Sequence, residues 1–355
     1  MIPAFNKVHN RFKLNGTHFS FEQLKEVAYS YVKEGQDFEQ HIGQFLLDWQ
    51  DNNSVIQIKT SGSTGTPKTI EMPKQAMVNS AIATGDYFKL QPGDTALLCL
   101  PAHYIAGKMM LVRAMILGLE IDAIEPKSKL IIDLEKQYDF AAMVPLQLEQ
   151  TIEQIYNIKQ IIIGGAKVSN DLLLKTQKLK TKVYETYGMT ETVSHVAVKQ
   201  INHLEKREVP LFKTLATISI KQDKRNCLIV EAPQLTKEKI ITNDIVKLHS
   251  GTTFEWLGRI DTIINSGGVK VHPEQIESQL ASKIKSRFFI ASETDKILGE
   301  RIVLIVEGEE GSVDASVFTP LSKHERPKEI YYIKPFFETE SGKIQRKKTL
   351  ERLKK

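Results

Sequence analysis

The chain has almost no cysteine: two in 355 residues, Cys99 and Cys227, each inside an apolar run. That excludes a disulfide framework and points to two buried core thiols. A strong charge imbalance is also missing. Lys and Arg total 48 against 43 Asp and Glu, a net charge of +5, too little to argue for nucleic acid. The one basic cluster, from Lys343 to Lys355, reads as a solvated tail that can help hold an anionic cofactor. Long hydrophobic runs do not occur. The stretch 109–119 is broken by Arg113 and falls short of a membrane span. At the start, Met1-Ile2-Pro3-Ala4-Phe5-Asn6-Lys7 has no apolar segment of the signal-peptide kind, so a cytoplasmic protein is expected. The nine histidines show no metal-ligand spacing; His195 and His203 are the nearest pair, with no cysteine beside them. There is no internal repeat and no low-complexity tract.

What is present is an ordinary globular composition, 41% hydrophobic and 26% charged, with enough chain for about two domains. Its most informative stretch is Thr60-Ser61-Gly62-Ser63-Thr64-Gly65-Thr66-Pro67-Lys68. It follows Val55-Ile56-Gln57-Ile58, an alternating run that reads as a buried strand. Glycines let a backbone approach an anion closely, hydroxyls and N–H groups donate to phosphate oxygens, and a lysine adds charge. A Walker A loop needs glycine directly before the lysine, and Pro67 stands there.

Asn15-Gly16 signals a hairpin. Ser20 opens an amphipathic helix, with Gln23 completing a capping box, Gly35 ending it, and Phe21, Leu24, Ala28 and Tyr31 as its apolar stripe. A second helix is expected with Asp37 as cap and Phe38, Ile42, Phe45, Leu46 and Trp49 on one face. From Val55 onward, short apolar runs alternate with helical patterns: 96–100, 161–163 and 182–184 read as strands, each leading into a Gly/Pro/Thr-rich loop. That is α/β architecture with ligand loops at strand ends. A boundary is expected near Gly258-Arg259-Ile260-Asp261. Beyond it lie Gly267-Gly268, a helix opened by Pro273 with Ile276, Leu280 and Ile284, and strands at 288–290 and 302–306, a small α+β domain.

Other clusters carry candidate chemistry. Tyr187-Gly188-Met189-Thr190-Glu191 offers an aromatic face for a base, a hydroxyl for a phosphate oxygen and a carboxylate for Mg²⁺. Gly164-Gly165-Ala166 follows a strand, and its small residues let a flat ring lie against backbone. Asp244 stands in a Thr-Asn-Asp run where a carboxylate can accept both hydroxyls of a ribose. Arg259 with Asp261, and Lys343 in a Ser-Gly-Lys turn, complete the set.

In this order, the motifs resemble the adenylate-forming acyl-CoA synthetase superfamily, over about residues 55–350. The resemblance implies two steps. A carboxylate attacks the α-phosphate of ATP, giving an acyl-adenylate and pyrophosphate; a thiol, usually of coenzyme A, then attacks the acyl carbon. It also implies the fold: α/β, with a large N-terminal adenylate-forming domain of layered sheets and helices (residues 1–260) and a small mobile C-terminal α+β domain (261–355). Lys343 matches the family's catalytic lysine, placed between two anions. Thr60, Ser61, Gly62, Ser63, Thr64, Gly65, Thr66 and Lys68 would hold phosphates. Thr190 would contact the α-phosphate and Glu191 would bind Mg²⁺. Tyr187, with Gly164, Gly165 and Ala166, would hold adenine; Asp244 and Arg259 would hold ribose. Asp261 matches the hinge, and Gly267 and Gly268 match the loop lining the thiol tunnel. Asn243 and the Ile264-Asn265 pair depart from the family pattern, and the region before the phosphate loop is shortened. That leaves the completion of the acyl pocket open, and a homodimer too.

Leu100-Pro101-Ala102-His103-Tyr104 corresponds to the family's histidine loop bordering the acyl pocket. With the compact length, the chain looks most like the o-succinylbenzoate–CoA ligase subgroup, which serves menaquinone synthesis. Such an acid keeps a second carboxylate that needs a cationic or hydroxyl-rich partner. His103, Lys108, Thr192, Ser194 and His195 are the pocket candidates. Arg113 is a further candidate, although a helix-face arginine reaching out to water is the expected reading for it. Other acyl- or aryl-CoA ligases, an aryl-adenylating enzyme that loads a carrier protein, and a non-catalytic nucleotide-binding regulator are the alternatives.

Overall fold

A computed structural model of the chain describes residues 2–59, 69–205, 208–338 and 344–354. The whole phosphate loop, Thr60 to Lys68, and the terminal lysine, Lys343, lie outside these residues. The described chain divides into two units. The first comprises Met1–Gly164, Thr176–Ser219 and Val230–Ile240; the second comprises Gly165–Lys175, Ile220–Ile229 and Ile241–Lys355.

The first unit is built on a mixed sheet. Its parallel centre runs Lys182–Gly188, Ile158–Ile163, Tyr138–Met143, Thr95–Leu98, Glu120–Ala123, and then Lys13–Leu14. Beyond Lys182–Gly188 the strands His195–Gln200 and Phe212–Thr214 add antiparallel. The central strands are buried almost continuously, as a sheet covered on both faces requires: Ala96, Leu97, Phe140, Ala141, Ile161 and Ile163 are all fully enclosed. Cys99 sits there too. Its thiol donates to the Ala142 carbonyl, and burial pushes its pKa up to about 12. The two short strands at Lys13–Leu14 and Thr17–His18 make the hairpin expected at Asn15-Gly16, with both residues at positive φ.

Helix starts follow the side-chain chemistry. In the helix Gln23–Glu34 the Ser20 N–H donates to Gln23 Oε1, and the Gln23 N–H donates back to Ser20 Oγ, the expected capping box. The helix Asp37–Gln50 corrects the sequence reading by one residue. Its cap is Gln36, whose N–H donates to Glu39 Oε2. Asp37 is left in the first turn, where a carboxylate still favours the helix dipole. Ile42, Phe45, Leu46 and Trp49 bury one face of that helix. The helix Ile105–Leu117 differs in kind, for residues 107–116 are buried on every side.

The second unit holds the antiparallel pair Ile240–Leu248 and Thr253–Arg259, whose register sets Asp244 opposite Arg259. It also holds a separate sheet in the order Val269–Val271, Ile264–Ser266, Gly299–Glu307, Phe288–Asp295. The strand Glu329–Ile333 joins Gly299–Glu307 in parallel. The helix Pro273–Leu280 covers it. Ile276, Leu280, Ile284, Ile290, Ile302 and Leu304 form one apolar core. Ile284, expected in the helix, follows its end and packs into the same core.

Candidate active site

The strand that starts at Lys182 does not stop at Tyr184, as the sequence pattern predicts, but continues to Gly188. It carries Tyr187 on the sheet, half-exposed, with its edge 5.9 Å from the Phe212 ring. Chain reversal follows in a 3-10 turn, Thr190–Thr192. Glu191 is exposed there and Thr190 half-buried, with no described group paired to either side chain. One exposed carboxylate suits Mg²⁺ carried on a nucleotide, because Mg²⁺ keeps several waters and binds through one or two carboxylates plus phosphates. Among the described residues no group of three or more His, Cys, Asp or Glu is placed to form a protein cage for a metal.

The reversal is tight. Val193 has φ 68° and ψ −56°, and the Ser194 N–H donates to the Thr192 carbonyl at 2.7 Å. This is a γ-turn of the strained, positive-φ kind, rare for a β-branched residue. Thr192 holds it. Its Oγ accepts from the Met189 N–H at 2.9 Å and lies 2.9 Å from the Met189 carbonyl and 2.8 Å from the Ser194 carbonyl. Gly188 lets the returning strand close: a Cβ there would sit 2.4 Å from the Ser194 carbonyl oxygen. Thr192, a pocket candidate by sequence, is therefore consumed inside its own turn and is 0% exposed.

The turn points Ser194 and His195 at Arg113. The Arg113 guanidinium donates to Ser194 Oγ at 3.0 Å and faces His195 Nδ1 at 3.5 Å. Ser194 Oγ is also 3.0 Å from Ser80 Oγ, and His195 Nε2 is 3.4 Å from Thr84 Oγ. Arg113 is 2% exposed, which corrects the expectation that it reaches out to water. The helix bearing it is enclosed all round and offers no route outward. No described carboxylate pairs with it, its Nε has no hydrogen-bond partner, and burial pushes its pKa down to about 9. Burial, and then the charge of Arg113, hold His195 well below the usual histidine value. Ser80 and His195 also line a small cleft bounded by Ala83, Leu215, Ile218 and Leu235.

Two other pocket candidates lie elsewhere. His103 is exposed and lies between Tyr104 and His41 at tilted angles, with ring centroids 4.1 and 4.5 Å away. Lys108 is buried, but its Nζ donates to the Ala102 carbonyl at 2.9 Å and lies over the Phe45 ring. Burial lowers its pKa. Lys108 is thus taken up by local contacts. Ser80, Thr84 and Val193 escaped the sequence reading because nothing in their spacing marks them.

At the end of Ile158–Ile163, Gly164 packs against Thr186: a Cβ there would meet the Thr186 hydroxyl at 2.5 Å. In the second unit, Gly165 has φ 82°, and Ala166 is half-exposed. Asp244 accepts from the Trp256 indole N–H at 3.2 Å and lies 3.7 Å from Arg259. Arg259 makes a two-pronged pair with Asp261, both contacts at 2.9 Å. That hydrogen-bonded pairing lowers the Asp261 pKa. Thr262 donates to Glu274 Oε1 at 2.9 Å. Gly267 and Gly268 both take positive φ in the turn between Ile264–Ser266 and Val269–Val271.

Comparison with known proteins identifies the family and the fold. The model of the AMP-binding enzyme family matches residues 18–223. The 2-succinylbenzoate–CoA ligase of Lactococcus lactis subsp. lactis is 24% identical over 323 residues, covering 84% of this chain and 71% of that protein. Among solved structures, an acyl-CoA synthetase (AMP-forming)/AMP-acid ligase II-like protein from Dyadobacter fermentans shares 35% identity and a TM-score of 0.62. The match covers 93% of this chain and 98% of that one. The o-succinylbenzoate coenzyme A synthetase of Bacillus subtilis, solved with ATP and magnesium ion, has a TM-score of 0.70 at 20% identity. Its match covers 83% of this chain and 69% of that one, a likeness of fold. Among the described residues no helix is long and apolar enough to cross a membrane.

Proposed function

The chain belongs to the AMP-binding enzyme family, and from that premise we propose that it is an ATP-dependent acid–CoA ligase acting on o-succinylbenzoate through an acyl-adenylate. The observation that supports this acid is Arg113. A buried guanidinium with no described carboxylate beside it is costly to keep. A substrate that keeps a second carboxylate after activation supplies the missing partner, and Ser194 adds a hydroxyl. Relatives named 2-succinylbenzoate–CoA ligase support the same substrate.

In the first step an oxygen of one substrate carboxylate bonds to the α-phosphorus of ATP and pyrophosphate leaves. Two anions must meet, so Lys343 is assigned between them, and the hydroxyls and Lys68 of the phosphate loop are assigned to the leaving phosphates. Glu191 is the residue that would hold Mg²⁺, which when bound would offset phosphate charge. Thr190 is assigned to the α-phosphate, Tyr187 to adenine, and Asp244 with Arg259 to the ribose. In the second step the sulfur of coenzyme A bonds to the acyl carbon and AMP leaves. Asp261 is assigned as the hinge of a C-terminal domain at 261–355, and Gly267 and Gly268 as the loop beside the thiol. A cytoplasmic location goes with these substrates.

The test is incubation of the purified protein with ATP, Mg²⁺, coenzyme A and a panel of acids, read by mass spectrometry. We expect o-succinylbenzoyl-CoA, and a loss of adenylation on the order of a hundredfold or more in Lys343→Ala. Another thioester would move the substrate, and adenylate without thioester would point to a carrier protein. Unchanged adenylation in the lysine variant would overturn the mechanism.

A further inference from the structure

Arg113 is held by neighbours that are all electrically neutral. Its NH2 group donates to Ser194 Oγ and faces His195 Nδ1, and its NH1 group meets Met110 Sδ at 3.7 Å. The partners also determine the histidine tautomer. Nδ1 faces a donor, so it carries the lone pair; Nε2 then carries the proton and faces Thr84 Oγ. Thr84 donates its own hydroxyl proton to the Ser80 carbonyl at 2.9 Å, which leaves its oxygen free to accept. Both ring nitrogens of His195 are thereby accounted for with the ring neutral. The two histidine contacts are long, so the ring orients the guanidinium more than it binds it.

A carboxylate at position 195 would hold Arg113 in the same place, but it would also cancel the charge. A neutral imidazole holds without cancelling. We infer that His195 is a positioning residue for Arg113, and that its neutrality is what leaves the buried guanidinium available to a second carboxylate on the acid substrate. The inference rests on the reading of Arg113 given above. It concerns selectivity between acids, not the chemistry of adenylation. In a site this enclosed an unsatisfied cation favours a dianionic acid and disfavours its monoanionic analogue.

The test compares kcat/KM for o-succinylbenzoate with that for 3-benzoylpropionate, which lacks the ring carboxylate. The ratio of the two is the readout, because any general damage to folding or turnover divides out. His195→Gln keeps a neutral acceptor and donor and should hold the ratio within about threefold of the unsubstituted enzyme. His195→Glu has almost the same size but adds a charge beside Arg113, and should lower the ratio by about tenfold or more. Thr84→Val, which removes the group that orients Nε2, should lower it by a smaller factor. Equal ratios in the Gln and Glu variants would overturn the inference. Arg113→Gln separates the two levels of the argument. It should abolish the preference for the diacid. An intact preference in that variant would refute Arg113 as the receptor, and the role of His195 with it. A lost preference there, together with equal Gln and Glu ratios, would refute the role of His195 alone. If the Glu variant does not fold, an unchanged ratio in Thr84→Val overturns the inference by itself.

Discussion

Replacing Thr192 with valine keeps the shape of the side chain and deletes one hydroxyl. In the native turn that oxygen accepts from the Met189 N–H at 2.9 Å. Its single proton goes to one of two carbonyls, Met189 at 2.9 Å or Ser194 at 2.8 Å. Two hydrogen bonds are therefore made at once, at about 1 kcal/mol net each. The side chain is fully enclosed, so valine also leaves the Met189 N–H without its partner, adding about 1 kcal/mol or more. The sum is about 2–4 kcal/mol if the turn stays as it is. It need not stay. Val193 is held in a strained γ-turn, and without the threonine that strain can relax by opening the turn. Opening caps the stability loss and moves Ser194 away from Arg113. The assay is equilibrium urea unfolding of the unsubstituted protein, Thr192→Val and Thr192→Ser, with KM for the acid and for ATP measured alongside. We expect the valine variant to lose stability and to raise KM for the acid, with KM for ATP rising as well because Thr190 and Glu191 ride on the same turn. The serine variant, which keeps the hydroxyl, should stay within about 1 kcal/mol. A valine variant within about 0.5 kcal/mol of the starting protein, with an unchanged acid KM, would refute the claim that Thr192 shapes this site.

Two further predictions rest on single contacts. Gly188→Ala places a Cβ 2.4 Å from the Ser194 carbonyl oxygen and 2.5 Å from the His195 Cα, backbone atoms that cannot step aside cheaply. It should cost about 1–3 kcal/mol and weaken acid binding, measured by thermal unfolding and by KM, and a neutral result would contradict the close approach. In the second unit, Arg346 pairs with Glu277 at 2.9 Å, and burial raises the Glu277 pKa despite that pair. A raised carboxylate pKa means that its contribution to stability is fully present below the unfolded value and is lost as pH rises through the folded value. Arg346→Leu removes the compensating charge. Its destabilisation should therefore be about 2–4 kcal/mol at pH 7 and smaller near pH 5, where Glu277 protonates more readily. Unfolding curves at the two pH values check this, and a larger loss at pH 5 would reverse the sign and refute it.

Much of the fold was legible in the sequence because its signals are local. The Ser20–Gln23 box lies within one turn of helix, and the buried strands are short apolar runs bounded by turn residues. Asp37 misled because two neighbouring polar residues can each cap, and the choice fell to Gln36 through Glu39 three residues on. Thr192, Ser194 and His195 were found as a segment, but not their separate tasks. One seals the turn, one accepts from Arg113, and one orients it. Arg113 was misjudged for a physical reason. Outward reach is inferred from a polar face, and the helix Ile105–Leu117 has none.

The amino-acid order by itself determined the family, the two-step chemistry that membership implies, and the alternation of strands and helices. These depend on which residue types stand next to one another, and a loop rich in glycine, hydroxyl groups and lysine needs no distant partner to be recognised. Only the tertiary structure decided which polar groups meet. Ser80, Thr84, Arg113, Ser194 and His195 come from two helices and a strand turn, with more than a hundred residues between the first and the last. Their contacts are a matter of how sheet and helices close on one another, and packing of that kind leaves no periodic trace in the chain.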